Sequence, residues 1–149
     1  MYPKVSVLKT ASGDFMVWSG PDALGKMLLS EGIHEASIIN VSKYILSSIK
    51  DRVPHVLDIG ANIGSYAIPI ARELGEKVAI SCFEVQKPVF YQLCGNIFLN
   101  SLSNVTAYNY AVGERTQKVD IPSVNYETCF NVGGYSIDPT GRDARHVRA

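Results

Sequence analysis

The pattern of apolar and polar positions predicts a β-hairpin and a short helix at the start of the chain. Residues 4–20 alternate as two short strands around a turn of small and polar residues, Ser12, Gly13 and Asp14. Residues 21–32 then show a helical pattern. This helix is expected to stop at Gly32, because helices often end at a glycine.

A longer amphipathic helix is predicted next, entering near Glu35 and closing near Arg52. Within residues 34–53, apolar side chains recur at spacings of three, four and four, at Ile38, Val41, Ile45 and Ile49. Such spacing places side chains on one face of a helix. The hairpin and the two helices together form a lead-in region, residues 1–52.

After Pro54 the pattern changes to strands that alternate with helices. Strands are predicted at residues 55–59, 77–84 and 104–112, and helices at 64–74 and 87–102. Strand, helix, strand, helix and strand in succession predict a parallel sheet with right-handed crossovers. Residues 53–149 are therefore interpreted as an α/β region. The whole chain of 149 residues suits a single domain with a substantial core.

The last part of the chain carries a weaker pattern. Residues 118–122 and 135–137 could pair as a hairpin, with a sharp bend at Gly133 and Gly134. Residues 141–149 hold three arginines and no core pattern. Such a tail could bind phosphate, although a solvated or truncated end is the more ordinary interpretation.

Charge and hydropathy narrow the classes of partner. Fourteen basic residues balance fourteen acidic ones, so no overall field favours nucleic acid or an anionic membrane. The first residues lack the apolar core of a signal peptide, and no run approaches the roughly 20 apolar residues of a membrane span. We therefore expect a cytoplasmic protein that binds neither nucleic acid nor membrane.

The three cysteines, Cys82, Cys94 and Cys129, stand far apart and form no C-x-x-C pair. An odd number without such a pair fits neither a disulfide framework nor a zinc knuckle, and no metal site is predicted. Because Cys82 lies in an apolar run and Cys94 in a helical pattern, we expect buried, reduced thiols.

The candidate chemistry is concentrated where the first strand of the α/β region ends. Asp58 falls near the end of that apolar run, and the turn to the next helix is made by five residues, Gly60, Ala61, Asn62, Ile63 and Gly64. Ligands of open parallel sheets bind beyond the carboxyl ends of the strands. Glycine lets the backbone approach a ligand without a Cβ clash, asparagine tolerates positive φ, and free N–H groups at a helix start attract a carboxylate-bearing or otherwise negative ligand.

A second carboxylate falls at the end of the neighbouring strand. Glu84 stands about 24 residues after Gly60, where it suits hydrogen bonding to both hydroxyls of a ribose. The two strand ends together predict a cofactor that contains a nucleoside. The alternative is that Gly60 and Gly64 serve tight packing and that Glu84 is a solvated cap. A dinucleotide fingerprint would need glycine where Asn62 and Ser65 stand, and the G-K-[ST] of a P-loop is absent.

Three stretches carry a family resemblance: VLDIGANIGSYA at residues 56–67, CFEVQKPVFYQLCGNIFLN at 82–100 and NVTAYNYAVGE at 104–114. Two shorter stretches, GIHEASI at 32–38 and NVGGYSI at 131–137, extend it. Together they resemble the class I S-adenosylmethionine-dependent methyltransferases, and specifically the FkbM family. The resemblance implies a Rossmann-like methyltransferase sheet with S-adenosylmethionine as cofactor.

The resemblance also implies roles for individual residues. On the methionine side of the cofactor it places Asp58 and the turn that follows, Gly60, Ala61, Asn62 and Gly64. Glu84 would hold the ribose hydroxyls, with Val85 against the adenine. Asn109 and Ala111 would border the base. Glu35 would either reach the methionine end of the cofactor or cap the N–H groups of its own helix.

The activity that the resemblance implies is methyl transfer to a hydroxyl of a sugar or polyketide-like metabolite. A small molecule or a glycan is therefore the expected acceptor. The cofactor carries its own activated electrophile, so the protein mainly aligns the nucleophile. A hydroxyl would benefit from a general base, but none can be nominated. Tyr66 and His34 stand near the site in sequence and are more simply explained by packing or surface positions.

The sequence departs from the family pattern in one respect. The chain ends at Ala149 before any segment of the type K-[IV]-D-x-E-G, which marks a fourth strand. We therefore expect a sheet truncated after its third core strand, whose unpaired edge could pair with another copy of the chain. The main alternative to an enzyme is a non-catalytic fragment that keeps the cofactor pocket. A nicotinamide-dependent oxidoreductase is a more distant alternative.

Overall fold

The structure, a computed structural model, describes residues 4–116, 118, 121 and 124–134. Its strands and helices in chain order are β1 Val5–Thr10, β2 Gly13–Trp18, α1 Ala23–Glu31, α2 Ala36–Ser48, β3 His55–Ile59, α3 Ala67–Leu74, β4 Ala79–Phe83, α4 Lys87–Leu99 and β5 Val105–Tyr108. Strands β1 and β2 form an antiparallel hairpin, and the other three form a parallel sheet in the order β3-β4-β5. The predicted α/β architecture with a parallel sheet is confirmed.

The N-terminal hairpin forms as predicted, but its turn lies slightly earlier in the chain. Thr10 pairs with Gly13, so that Ala11 and Ser12 alone make the turn and Gly13 already belongs to β2. The Thr10 hydroxyl oxygen accepts hydrogen bonds from the backbone N–H groups of Ser12 and Gly13, both at 3.2 Å. These local hydrogen bonds close a two-residue turn. The prediction placed the turn later because Gly13 and Asp14 are also typical turn residues, although both belong to β2.

Helix α1 ends as predicted, and its start has a cap. Gly32 adopts φ 72°, the left-handed conformation that glycine permits at a helix end. At the other end, the Asp22 carboxylate accepts a hydrogen bond from the Gly25 N–H at 3.1 Å. This cap satisfies one of the free donors of the first turn.

One face of the parallel sheet is covered by helices. The strands contribute three buried residues to the core on this face, Ile80, Cys82 and Val105, and Val56 of β3 packs against them. The helices α2, α3 and α4 contribute Ile39, Ala67, Ile70, Ala71 and Leu93 to the same core. Cys82 is fully buried, as predicted.

The opposite face of the sheet is open. Successive side chains of a strand point to opposite faces, so Leu57 and Ile59 lie on the other side from Val56. They are 60% and 59% exposed. Further along this face Phe83 stacks on Tyr108 with ring centroids 5.2 Å apart. The described helices therefore cover one side of the sheet only.

Helix α2 forms, but its apolar stripe is not buried. Ile38, Val41 and Ile45 are 53–59% exposed, whereas Ile39 beside them is fully buried. The other side of the helix is held against α3, because Lys43 forms an ion pair with Glu73 there. The helix also ends at Ser48, short of the predicted Arg52.

Asn96, a fully buried side chain of α4, connects three parts of the molecule. Its Oδ1 accepts a hydrogen bond from Met16 of the hairpin. Its Nδ2 donates to the carbonyl oxygen of Ile63, in the turn after β3, at 2.9 Å. A buried amide with both ends satisfied fixes its neighbours, so the hairpin and that turn are positioned by one residue.

Four further expectations concern Cys94, the last part of the chain and membrane spans. Cys94 is exposed, so its predicted burial is wrong: α4 is apolar around much of its circumference, and Cys94 lies on the side away from the core. The predicted hairpin of residues 118–122 with 135–137 lies outside the described residues apart from Lys118 and Ile121, and the arginine tail lies wholly outside them. Within the described ranges, no helix is long and apolar enough to cross a bilayer.

Candidate functional site

The turn after β3 crosses the carboxyl end of β4. Gly60 adopts φ 81°, and the N–H groups of Gly60 and Ala61 both donate to the carbonyl oxygen of Phe83, at 2.9 and 3.0 Å. No heavy atom beyond the adjacent residues lies within 4 Å of the position that a Cβ would take on Gly60. The structure therefore leaves space beside the backbone at Gly60, and a ligand contact there stays a prediction.

The far end of the same turn faces the core. Gly64 also has a positive φ, 88°, but a Cβ there would lie 2.8 Å from Ile68 Cδ1 and 3.0 Å from Leu93 Cδ1. The Ala61 side chain is buried in the core as well, at 4% exposure. The packing interpretation therefore applies to Gly64, and Ala61 has only its backbone to offer to a ligand.

Glu84 ties the end of β4 to the turn. It is 6% exposed, which excludes the alternative that it is a solvated cap. Asn62, at φ 51°, donates its N–H to Oε2 at 3.0 Å, and Gln86 donates its N–H to Oε1 at 2.8 Å. Burial raises the pKa of Glu84, and these backbone hydrogen bonds lower it in part.

Asp58 has a buried carboxylate oxygen without a partner. Its Oδ2 forms no hydrogen bond to any described residue. Burial, together with the nearby charges of Glu84 and Glu35, raises the pKa of Asp58 to about 6. Within the described part of the chain, no lysine or arginine forms an ion pair with Asp58 or Glu84.

Glu35 contributes charge rather than a cap. It stands at the start of α2 with φ 52°, and its side chain makes no capping hydrogen bond. Its carboxylate is half exposed and lies 3.8 Å from His34 Nδ1. The structure therefore argues against the capping interpretation, and the charge of Glu35 is one cause of the raised pKa of Asp58.

Asn109 joins the ends of β4 and β5. Its Nδ2 donates to the carbonyl oxygens of Glu84 and Val85, at 2.8 and 3.1 Å. Val85 and Ala111 are half-buried, and the structure gives Ala111 no specific contact in the site. Asn109 therefore fixes the backbone on which Glu84 and Val85 are presented.

The sequence interpretation missed a wall of the site formed by Val132–Gly134. The buried Gln86 donates from Nε2 to the carbonyl oxygen of Val132 at 2.9 Å, and the Val132 N–H donates to Asp22 at 3.2 Å. A Cβ on Gly133 would lie 2.1 Å from Asn62 Nδ2, so this segment touches the turn. The paired glycines were interpreted as a bend and as part of a family-like stretch, and neither interpretation assigned them to the site.

Tyr66 has a structural role. Its hydroxyl donates to Ser42 Oγ at 2.8 Å, which links the start of α3 to α2. The interpretation of Tyr66 as a packing residue is therefore favoured over a role as general base. His34 contacts Glu35 and has no other described ion pair.

A separate cleft of about 380 Å³ lies between the hairpin turn and helices α1, α2 and α3. Its basic groups already have partners: Lys43 pairs with Glu73, and Arg72 donates to the Ala11 carbonyl oxygen at 3.4 Å. Unlike the strand ends, this cleft holds no unpartnered buried charge among the described residues. The carboxyl end of the sheet is therefore the better candidate site.

Solved methyltransferase structures are similar to this chain. An S-adenosylmethionine-dependent methyltransferase from Agrobacterium tumefaciens matches at 11% identity over 74% of this chain and 34% of its own, with a TM-score of 0.53. An S-adenosylmethionine-dependent O-methyltransferase from Thermotoga maritima matches at 15% identity over 78% and 44%, with a TM-score of 0.48. TYW2 from M. jannaschii, solved with AdoMet, matches at 24% identity over 72% and 44%, with a TM-score of 0.45.

These likenesses concern the fold. The A. tumefaciens structure, with the TM-score above 0.5, shows that this chain shares the fold of part of a methyltransferase. The chain spans between 34% and 44% of the length of the three solved chains. No family model matches the sequence, and no curated protein matches it. The resemblance to the FkbM family stays a prediction.

Proposed function

We propose that this chain binds S-adenosylmethionine and supplies the cofactor half of a methyltransferase. The observation that carries the proposal is the buried, unpartnered Oδ2 of Asp58 close to the charge of Glu84. A buried carboxylate without a partner is costly unless a ligand brings positive charge to it. S-adenosylmethionine brings an ammonium and a sulfonium, whereas a nicotinamide dinucleotide would bring the negative charge of a diphosphate.

The remaining groups fit a nucleoside. Each Glu84 oxygen accepts one backbone N–H, and a carboxylate oxygen can accept more than one hydrogen bond. Capacity therefore remains for the two ribose hydroxyls. Val85 and Asn109 would border the base, and Gly60 would let the backbone approach the methionine part of the ligand.

The chemistry proposed is methyl transfer to a hydroxyl of a sugar or small metabolite in the cytoplasm. When bound, S-adenosylmethionine supplies a methyl group already activated for displacement. In this proposal Asp58 accepts hydrogen bonds from the ammonium, and Glu84 sets the position of the ribose. Both residues bind and orient, and the FkbM-like motifs support this assignment.

Calorimetry with two ligands tests the two carboxylates separately. S-adenosylhomocysteine contains the ribose and the ammonium. Methylthioadenosine contains the same nucleoside but lacks the ammonium. Glu84→Gln should weaken the binding of both ligands by about 1–3 kcal/mol, as expected for the loss of a charge-assisted hydrogen bond. Asp58→Asn should weaken S-adenosylhomocysteine by a similar amount and leave methylthioadenosine nearly unchanged.

Glu76→Gln is the matched control, because Glu76 is exposed and lies outside the site. Its affinities should equal those of the unaltered protein. Equal loss of both ligands in Asp58→Asn would remove the ammonium assignment. Binding of NAD in preference to S-adenosylhomocysteine would overturn the proposal as a whole.

A second candidate is a module that binds the cofactor without catalysing turnover. It is favoured by the partner of one candidate base, since the Tyr66 hydroxyl donates to Ser42. A methyl-transfer assay over a panel of sugar and small-molecule hydroxyls separates the candidates. The module predicts binding without S-adenosylhomocysteine release, and release that depends on a hydroxyl acceptor would favour the enzyme.

A further inference from the structure

We propose that residues 125–134 form a strap whose docking orients Glu84, and that Gln86 is the positioning residue between the strap and this carboxylate. The inference rests on the proposed function, because Glu84 is the group assigned there to the ribose. It goes beyond that function, since it makes the affinity for a nucleoside depend on Val132, which lies 46 residues after Gln86 in the chain.

Val132 is the residue at which the strap is clamped. Its N–H donates to Asp22 Oδ1 at 3.2 Å, and its carbonyl oxygen accepts a hydrogen bond from Gln86 Nε2 at 2.9 Å. Its side chain is 3% exposed and packs in the same core as Phe15 and Trp18 of the hairpin. Both backbone polar groups and the side chain of Val132 are therefore held, which fixes its position relative to Gln86.

Further contacts tie the rest of the strap to the hairpin and to α1. The N–H of Ala23, the first residue of α1, donates to the carbonyl oxygen of Phe130 at 2.8 Å. The Tyr126 ring packs edge-on against Trp18, with ring centroids 4.6 Å apart, and Lys26 Nζ lies 5.4 Å from the centroid of the Phe130 ring. The strap therefore connects the N-terminal hairpin and α1 with the carboxyl end of the parallel sheet.

The strap reaches Glu84 by two routes. The first runs through Gln86, whose side chain holds Val132 and whose N–H donates to Glu84 Oε1 at 2.8 Å. The second runs through Asn62, whose N–H donates to Oε2 at 3.0 Å and whose side chain lies against Gly133. Because the donors on its two oxygens orient a buried carboxylate, docking of the strap sets the direction in which Glu84 faces a ribose.

Asn62 and Gly133 are the residue types that the second route needs. Asn62 adopts φ 51°, a conformation in which glycine would be strained least. Asparagine tolerates this conformation and keeps a side chain that reaches the strap. A Cβ on Gly133 would lie 2.1 Å from Asn62 Nδ2, so any other residue there would displace the Asn62 side chain or the strap. A side chain at 62 combined with none at 133 supports a close contact between the turn and the strap.

Matched glutamine substitutions test the positioning role by calorimetry. Gln86→Leu removes the amide that holds Val132. Gln92→Leu removes an equally buried amide, at 5% exposure, that donates to the Met16 carbonyl oxygen in the hairpin. Both should lower stability, since each takes a hydrogen bond from a carbonyl oxygen in the interior. Only Gln86→Leu should weaken S-adenosylhomocysteine and methylthioadenosine, each by about five- to tenfold.

Amide hydrogen exchange measures the docking of the strap directly. Without ligand, residues 125–134 should exchange about fivefold faster in Gln86→Leu than in Gln92→Leu. In the unaltered protein, methylthioadenosine should slow the exchange of the strap, because coupling between two sites is reciprocal. A role of Gln86 in stability alone would give no such protection by the ligand.

Gly133→Ala tests the second route. Gly20→Ala is its control, because a Cβ on Gly20 would have no heavy atom beyond the adjacent residues within 4 Å. Only Gly133→Ala should speed amide exchange in residues 60–64.

Three results would each overturn the inference: equal affinity losses in the two glutamine variants, unchanged exchange of the strap in Gln86→Leu, or unchanged exchange of residues 60–64 in Gly133→Ala. If the unaltered protein binds neither ligand, the proposed function fails. The exchange rates of the ligand-free variants then still decide whether the strap holds the two donors of Glu84.

Discussion

The two ends of the turn between β3 and α3 have the same backbone conformation and opposite surroundings. Gly60 and Gly64 both adopt positive φ, but Gly60 is open where Gly64 is enclosed by Ile68 and Leu93. Asp58 belongs with the open end, and Ala61 packs into the core. One short motif therefore serves ligand access and core packing, and substitutions at its two ends should separate the two roles.

The largest expected difference is in stability between the two glycine positions. Gly64→Ala should reduce the free energy of unfolding by about 2–4 kcal/mol, because it adds left-handed strain to overpacking against Ile68 and Leu93. Gly60→Ala should cost only about 1–2 kcal/mol, from the strain alone. Urea denaturation followed by circular dichroism measures both. Equal losses would mean that the two ends do not differ as the structure indicates.

Asp58→Asn should stabilise the free protein while it weakens ligand binding. The pKa of Asp58 is raised from 3.8 to about 6 in the fold, so the folded state holds the proton more tightly than the unfolded chain. The stability that this protonated carboxyl contributes is therefore fully present below about pH 3.8 and is lost as the pH rises through about 6. At pH 8 the substitution should add about 1–3 kcal/mol to the free energy of unfolding.

This gain should nearly vanish near pH 3.5, where Asp58 is protonated in the folded state and mostly protonated in the unfolded chain. The exposed Asp51→Asn is the matched control and should give no gain at either pH. Thermal denaturation at the two pH values measures the difference. A loss of stability at pH 8 in Asp58→Asn would indicate that the carboxylate has a structural partner.

The pH dependence of binding sharpens the role of the open end. If ionised Asp58 holds an ammonium, the affinity for S-adenosylhomocysteine should fall as the pH drops below about 6, approaching tenfold per pH unit. Methylthioadenosine, which lacks the ammonium, should show a weaker dependence. Calorimetry at pH 7.5 and pH 5 measures both ligands, and parallel pH profiles would argue against an ammonium at Asp58.

The smallest effect is expected at Asn109, which supports the site from outside. Asn109→Ala removes two hydrogen bonds to the backbone of Glu84 and Val85 and should weaken S-adenosylhomocysteine by about 0.5–1.5 kcal/mol. Asn104→Ala is the control, because Asn104 donates to Gly75 and Val78 at the opposite end of the sheet. It should lower stability without changing affinity. Equal affinity losses in both variants would point to a general loss of fold.

The sequence by itself determined the order of elements and the location of the candidate site. Periodicity is a local property, so alternating strands and helices predicted a parallel sheet that the structure confirms. A parallel sheet brings the carboxyl ends of its strands to one edge. Asp58 and Glu84, far apart in the chain, could therefore be placed together before any contact was known.

The tertiary structure decided which of the patterned faces are covered. In α2 the buried Ile39 lies next to the exposed Ile38. Which side of the helix is buried depends on its contacts with α3, a helix that comes later in the chain. The same holds for Gly60 and Gly64, whose neighbours differ although their conformations agree. The local sequence specifies the periodicity of a segment and the dihedral preferences of its residues. The burial of a residue depends on distant residues that only the folded chain brings to it.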